Sequence, residues 1–323
     1  MIVVSPNLCF DRTLWVEAFE AGTVSRPHRV EITAGGKGVN VARTMNDLGA
    51  TCTLLALVAD HGSEELLRLL DEEDIDVEAV AVGGSVRSAT IVIEDSERAT
   101  VLNEPGPVVG GADLQSLLAA LADALDGVHQ RGHDLVVCSG SLPPGLPDDT
   151  YAQITRLAHE RGATCVVDGA RSALEKVLAA EPDLVCPNLD EAEGLTSGVV
   201  LESSHPAQEL DDVRERALAA AHGLRARGAT RAVVTASSHG AAYADESGDR
   251  WIPAPTVRVA NPIGAGDSFV GGVAAALAEG TAWPDAVHHG VLVASAAVEH
   301  ARAGRVDRQR VAQLVDLNER ATR

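Results

Sequence analysis

The chain has 323 residues, 46% of them hydrophobic, with a mean hydropathy of +0.05, a balance that packs a core and excludes disordered, collagen-like and coiled-coil classes. Its formal charge of −21 and its 2% of aromatic residues disfavour a nucleic-acid partner, which asks for basic surface and stacking rings. Asp123 and Asp126 interrupt the richest apolar stretch, so no run reaches the roughly 18 residues of a membrane span and no membrane partner is expected.

From the start, MIVVSPNLCFD opens on a strand-like run and carries neither a basic leader nor a small-residue cleavage site, which predicts a cytoplasmic protein. Short apolar or β-branched runs recur at residues 2–4, 53–58, 135–138, 164–167, 184–186 and 232–235. Between them, leucines and alanines at three- and four-residue spacing predict helices over 64–74, 114–125, 151–161 and 207–227. Such βα alternation predicts an α/β fold with a mostly parallel sheet covered by helices on both faces, and ligands at the carboxyl ends of the strands.

Two stretches break the rhythm. Residues 12–33 and 88–102 read as strands without crossover helices, the second as a hairpin turning at Asp95, Ser96 and Glu97. They predict a small β lid of residues 12–33 and 87–103 beside an α/β domain of residues 1–11, 34–86 and 104–323, although an ordinary edge hairpin fits the same pattern. The five cysteines, Cys9, Cys52, Cys138, Cys165 and Cys186, are odd in number and scattered through apolar runs, so they read as buried thiols. Neither CxxC nor HExxH occurs, which leaves a structural zinc or a metalloprotease site without support.

Two glycine loops carry chemistry. Asn261 to Asp267, NPIGAGD, follows a strand-like run at 256–259 and precedes a helix with Phe269, Val270, Val273, Ala274 and Leu277 on one face. Glycines at a helix start let backbone N–H groups converge on an anion, and the helix dipole adds partial positive charge. Asp267 in that first turn would repel a phosphate, but it fits a base facing an alcohol about to attack phosphorus; it also fits a capping aspartate. The second loop, Ala34 to Asn40, is AGGKGVN, again opening a helix. Only two of the 26 basic residues are lysines, Lys37 and Lys176, so Lys37 in this loop stands against local usage and points to a compact ammonium binding phosphate or hydroxyls. A Walker loop would need glycine at Glu31 and a hydroxyl at Gly38, and a GxGxxG dinucleotide loop would need glycine at Phe269.

The ordered pair GGKGVN and GAGD resembles the two signatures of the pfkB, or ribokinase-like, carbohydrate kinases. NLCFDRT at Asn7 to Thr13 and SGSLPPG at Ser139 to Gly145 are similar to the 1-phosphofructokinase and tagatose-6-phosphate kinase branch. The resemblance implies that Asp11, Gly36, Lys37 and Asn40 hold the sugar and that Arg87 reaches its phosphate from the lid. It further implies that Asn188 and Glu191, within PNxxE, organise Mg²⁺ through water around ATP. Asn188, Thr235 and Gly240 would line the nucleotide site, and Gly264, Ala265 and Gly266 would supply amides around the transferred phosphoryl group, with Asp267 as base. The expected activity is transfer of the γ-phosphoryl group of ATP to a hydroxyl of fructose 1-phosphate, fructose 6-phosphate or tagatose 6-phosphate. A non-catalytic sugar-phosphate-binding regulator and a nucleoside kinase are the alternatives, and a homodimer through the lid is the expected assembly.

The chain departs from the branch at four positions: Cys186 where lysine is usual, Ser237 for glycine, Leu8 for proline and Ala89 for asparagine. Two lie on the nucleotide side and two on the sugar side, so lost donors would alter which substrate oxygens are satisfied.

Overall fold

In the computed structural model, residues 1–96, 98–128, 134–169, 171–197 and 210–321 are described. Elements run in the order β1 Ile2–Ser5, β2 Cys9–Val16, β3 Arg29–Gly35, α1 Lys37–Leu48, β4 Thr53–His61, α2 Ser63–Asp71, β5 Asp76–Ser85, β6 Arg87–Glu94, β7 Ala99–Asn103 and α3 Gly111–Val128. They continue with β8 Leu135–Gly140, α4 Thr150–Glu160, β9 Thr164–Gly169, α5 Arg171–Val177, β10 Leu184–Val185, α6 Leu189–Ser197 and α7 Leu210–Ala226. The last are β11 Ala232–Thr235, β12 Gly240–Asp245, β13 Gly248–Pro253, α8 Ala265–Ala278, α9 Trp283–Ala297 and α10 Arg308–Ala321.

The central strands read as unbroken apolar runs because both of their faces are covered. All residues of β1, β8 and β11 except Thr235 are buried. The large sheet has nine strands in the order β13-β12-β11-β10-β9-β8-β1-β4-β5; β5 to β11 pair in parallel, while β12 and β13 add an antiparallel edge. The pleat sends alternate side chains to opposite layers. Ile2, Val4, Leu55 and Leu57 pack with Leu117, Leu121 and Ile154 of α3 and α4 on one side. Val3, Leu54 and Ala56 pack with Met45, Phe269 and Val273 of α1 and α8 on the other.

A separate four-stranded sheet has the order β3-β2-β6-β7. Its central pair, β2 and β6, is parallel and joins segments far apart in sequence, with Cys9 opposite Arg87 and Val16 opposite Glu94. β6 and β7 form the expected hairpin; its predicted turn residue Glu97 lies outside the described residues. The predicted helix over 207–227 begins in residues 207–209, which also lie outside them, and is seen from Leu210 as α7.

The strand expected at 256–259 is corrected: these residues pair with no strand and have no regular secondary structure. Pro253 and Pro255 remove two backbone donors on either side of Ala254, so the chain leaves the sheet after Ala254 N donates to His239 O at 3.3 Å. It is retied by Ala260 N, which donates to Val298 O at 2.7 Å, and this tie delivers the glycine loop to the start of α8.

Candidate active site

Of the sites expected from sequence, Lys37, Asn40 and the 264–267 loop fall at helix starts, Asn188, Glu191 and Thr235 at the carboxyl ends of strands of the large sheet, Gly240 at the start of its antiparallel β12, and Asp11 and Arg87 on the small sheet. Gly264 is the N-cap of α8, in the left-handed region at φ 81°, and no side chain caps this helix. Asp267 sits in the first turn but does not serve as a cap. Its carboxylate is buried, and Oδ2 accepts a hydrogen bond from Asn40 Nδ2 at 2.8 Å. The first-turn amides therefore have no side-chain partner, which is the condition under which a helix start receives an anion. A methyl on Gly266 would meet no heavy atom within 4 Å, whereas one on Gly264 would crowd Ala303 Cβ at 3.0 Å and Gly304 N at 3.1 Å.

α1 starts in the same way. Gly36, its N-cap, has φ 111° and no side-chain cap. Lys37 is the first residue of α1, and its Nζ donates to Asp168 Oδ1 at 3.3 Å and Oδ2 at 3.4 Å, and lies 4.0 Å from Glu191 Oε1. Asp168 holds the Lys37 ammonium well above its ordinary value, against burial, so this lysine is a fixed cation. Burial pushes Asp267 up from the ordinary carboxylate value to about 6; the Lys37 charge and the Asn40 hydrogen bond pull it down, and Asp168 and Asp11 push it further up. A carboxylate poised there exists in both protonation states near neutrality, as a general base requires.

Asp11 is on β2, in the small sheet, and burial also raises its carboxyl, opposed by a hydrogen bond from Cys9 Sγ at 3.3 Å and by the charges of Arg43 and Arg87. It reaches the site because Gly35 lacks a side chain: a methyl there would lie 2.5 Å from Asp11 Oδ2 and closer still to Cγ and Oδ1. Arg87, at the start of β6, donates from Nε to Asn7 Oδ1 at 3.0 Å and from Nη2 to Asn7 O at 3.0 Å, with Nη1 3.3 Å from Glu104 O. Asn7 Nδ2 in turn donates to Ser141 Oγ at 3.1 Å, so the NLCFDRT and SGSLPPG segments meet.

On the other side, Asn188 and Glu191 form a capping box: Asn188 N donates to Glu191 Oε2 at 3.0 Å and Glu191 N to Asn188 Oδ1 at 2.8 Å. Asn188 also bridges Thr235, at the end of β11. Gly240 begins β12 with φ 128°, packed so closely on Ile252 O and Ala254 N that a side chain has no room. The structure thus gathers Asp11, Lys37, Asn40, Glu191 and Asp267 around one electrostatic centre, while Arg87 stands on the small sheet and Gly240 serves the turn beneath Thr235. Ser237, where the branch has glycine, holds a left-handed φ of 50°.

Two participants were not singled out from sequence. Asp168 closes β9 and is buried against Lys37 from 131 residues away; its signal is an acid at the carboxyl end of an apolar strand run, VVDG. Arg43, one turn into α1 after Asn40, is 2% exposed and gives no local signal, since its neighbours along the helix face, Asn40, Asn46 and Asp47, are polar and read as a solvated face.

The family model described as pfkB family carbohydrate kinase matches residues 2–309. The chain belongs to the pfkB family of carbohydrate kinases. It is an ATP-dependent phosphotransferase that acts on a carbohydrate hydroxyl. Among curated relatives, a 1-phosphofructokinase of Xanthomonas campestris pv. campestris is 32% identical over 281 residues, 85% of this chain and 83% of that one. Among solved structures, phosphofructokinase-2 of Escherichia coli in complex with potassium is 26% identical, with a TM-score of 0.85 over 98% of both chains. The same E. coli enzyme in complex with fructose-6-phosphate is 25% identical, with a TM-score of 0.82 over 98% of both chains. Its tetrameric inhibited form is 27% identical, with a TM-score of 0.82 over 97% of this chain and 98% of that one. Ribokinase of Thermotoga maritima shares the ribokinase-like fold at 18% identity, with a TM-score of 0.73 over 98% and 99% of the two chains.

Proposed function

We infer that this pfkB kinase phosphorylates a hydroxyl of a ketose phosphate, with fructose 1-phosphate, fructose 6-phosphate and tagatose 6-phosphate as the candidate acceptors. The observation that carries the reading is the buried Asp267 carboxylate, pushed up to about 6 by burial, at the uncapped start of α8. Asp267 takes the proton of the attacking hydroxyl, while the amides of Gly264, Ala265 and Gly266 stabilise charge on the migrating phosphoryl group in an in-line displacement. Asp11, Gly36, Lys37 and Asn40 hold the sugar hydroxyls, and Arg87 exchanges its bonds to Asn7 and Glu104 for the substrate phosphate, where a guanidinium gives two-point recognition. Asn188, Thr235 and Gly240 line the nucleotide side.

Among the described residues no group of three or more His, Cys, Asp or Glu side chains gathers to hold a metal. The oxygens of Asn188 and Glu191, braced by their capping box, instead fit Mg²⁺ that keeps its waters and is held largely by ATP phosphates. Bound there, Mg²⁺ supplies neutralisation of phosphate charge.

The small sheet of β2, β3, β6 and β7, which overlaps the lid segments 12–33 and 87–103 and extends beyond the first at both ends, acts as a lid that excludes water from the reacting groups. Its exposed Val30, Ile32 and Leu102, with edge strands β3 and β7, support pairing of two lids across a two-fold axis, a homodimer. Five free, buried cysteines and the use of ATP suit the reducing cytoplasm. The test is ADP release over fructose 1-phosphate, fructose 6-phosphate, tagatose 6-phosphate, free sugars and adenosine. Turnover confined to a phosphorylated ketose is expected; turnover on adenosine alone, or binding without ADP release, overturns the reading.

A further inference from the structure

Asn40 has two ways to face Asp267. Its amide can offer Nδ2 as a donor or Oδ1 as an acceptor, and the two ends have nearly the same shape. Only the first stabilises an ionised carboxylate; the second would force the base to stay protonated. What decides between them lies on the far side of the amide, in a residue that touches neither the sugar-binding loop's glycines nor the α8 start.

That residue is Arg43. Its guanidinium has five N–H donors and no acceptor, and all five are committed. Nε donates to Glu73 Oε2, and Nη2 donates to Glu73 Oε1 at 3.1 Å and to Ala34 O at 3.0 Å. Nη1 donates to Ala303 O at 3.1 Å and to Asn40 Oδ1 at 2.7 Å. The group is 2% exposed and paired with a carboxylate, so it stays charged and stays put. An acceptor-less partner at 2.7 Å requires Asn40 to present Oδ1 to it and Nδ2 to Asp267. The loop at 303–304 closes the arrangement: Gly304 packs on Asn40 so tightly that a methyl there would lie 2.8 Å from Asn40 Cα, and Thr44 Oγ1 donates to Gly304 O at 2.8 Å.

We propose that Arg43 is a positioning residue for catalysis: it locks the Asn40 amide so that Nδ2 anchors Asp267 Oδ2, leaving Asp267 Oδ1 as the oxygen that receives the hydroxyl proton. Oδ1 accepts no hydrogen bond from the described residues, so it is the oxygen left for an acceptor alcohol. In the reaction the substrate O–H bond breaks, its proton passes to Oδ1, and the oxygen forms the new bond to phosphorus as the bond to the ADP leaving group breaks. Oδ2 keeps its bond from Asn40 throughout. The charged groups around this pair are Lys37 of α1, Asp168 of β9 and Asp11 of β2 on the side of Asp267, and Glu73, Arg305 and Asp47 on the side of Arg43.

This inference rests on Asp267 being the base, and the test separates the two. Steady-state kcat and KM are measured for Arg43→Lys, Asn40→Ala, the double variant, Asp267→Asn, and the paired replacement Arg43→Met with Glu73→Gln, which removes both buried charges together and guards against a folding failure. The paired replacement removes the donor that faces Asn40 Oδ1, so the expected result is a fall in kcat of about 10-fold or more with KM for ATP within about 2-fold; Arg43→Lys keeps an acceptor-free charge but not the fork, and its kcat should fall between the paired variant and wild type. In the Asn40→Ala background, Arg43→Lys should change kcat by less than about 2-fold, because the amide through which it acts is gone. Full kcat in the paired variant, or additive losses when Arg43→Lys is combined with Asn40→Ala, overturns the positioning role while Asp267→Asn keeps its loss of turnover; full kcat in Asp267→Asn overturns the base reading instead.

Discussion

Gly266→Ala should make the protein more stable and the enzyme worse. Residue 266 is the second residue of α8, its φ is not left-handed, and a methyl there meets no protein atom within 4 Å. Nothing in the folded chain opposes the change, while alanine costs less than glycine to hold in a helix by up to about 1 kcal/mol. For a domain of this size that is a rise of roughly 2–4 °C in Tm. If the open space beside Gly266 is where the phosphoryl group passes, the same methyl occupies it and displaces the group by about 1 Å or more. A misplacement of that size costs on the order of 10²-fold in rate, about 2.7 kcal/mol of transition-state stabilisation. The assay is thermal melting alongside kcat/KM for ATP in a coupled ADP-release reaction. Opposite signs in the two readouts are the prediction. A stabilised variant with wild-type kcat/KM would refute the argument, because it would mean that nothing reacts in front of those amides.

Two further substitutions test other parts of the structure. Gly35→Ala places a methyl 2.5 Å from Asp11 Oδ2, so Asp11 must move; kcat/KM for the sugar phosphate should fall by about 10²-fold, KM for ATP should hold, and stability should drop by roughly 1–3 kcal/mol. Ser237→Gly relieves a left-handed φ of 50° and should raise unfolding free energy by about 1 kcal/mol in denaturant titration.

The large sheet was legible because its middle strands are covered on both faces and so read as plain apolar runs, as in VVCSG of β8 and TCVVDG of β9. Its rims were not. β5, with alternating and exposed positions, and the β12–β13 hairpin carry weaker signals, and 256–259 has strand composition but prolines that deny it a partner. The glycine loops announced themselves because backbone approach to an anion demands glycine locally. Asp168 did not, because what it does depends on Lys37, 131 residues away; Arg43 did not, because Glu73 and Ala303, which fix its guanidinium against Asn40, lie 30 and 260 residues away. Asp267 itself was ambiguous in sequence between cap and base; the hydrogen bond from Asn40, 227 residues earlier, is what turns its side chain away from capping.

The account stands or falls with the Asp267 carboxylate. In Asp267→Asn, ATP and sugar-phosphate affinities measured by calorimetry should stay within a few-fold of wild type, while kcat falls by a factor on the order of 10² or more. The wild-type enzyme should lose kcat/KM as pH drops through about 6, where the buried carboxyl takes up its proton, and that acid limb should vanish from the residual activity of the variant. Near wild-type turnover in Asp267→Asn, with the acid limb intact, would contradict the assignment of this carboxylate as the base.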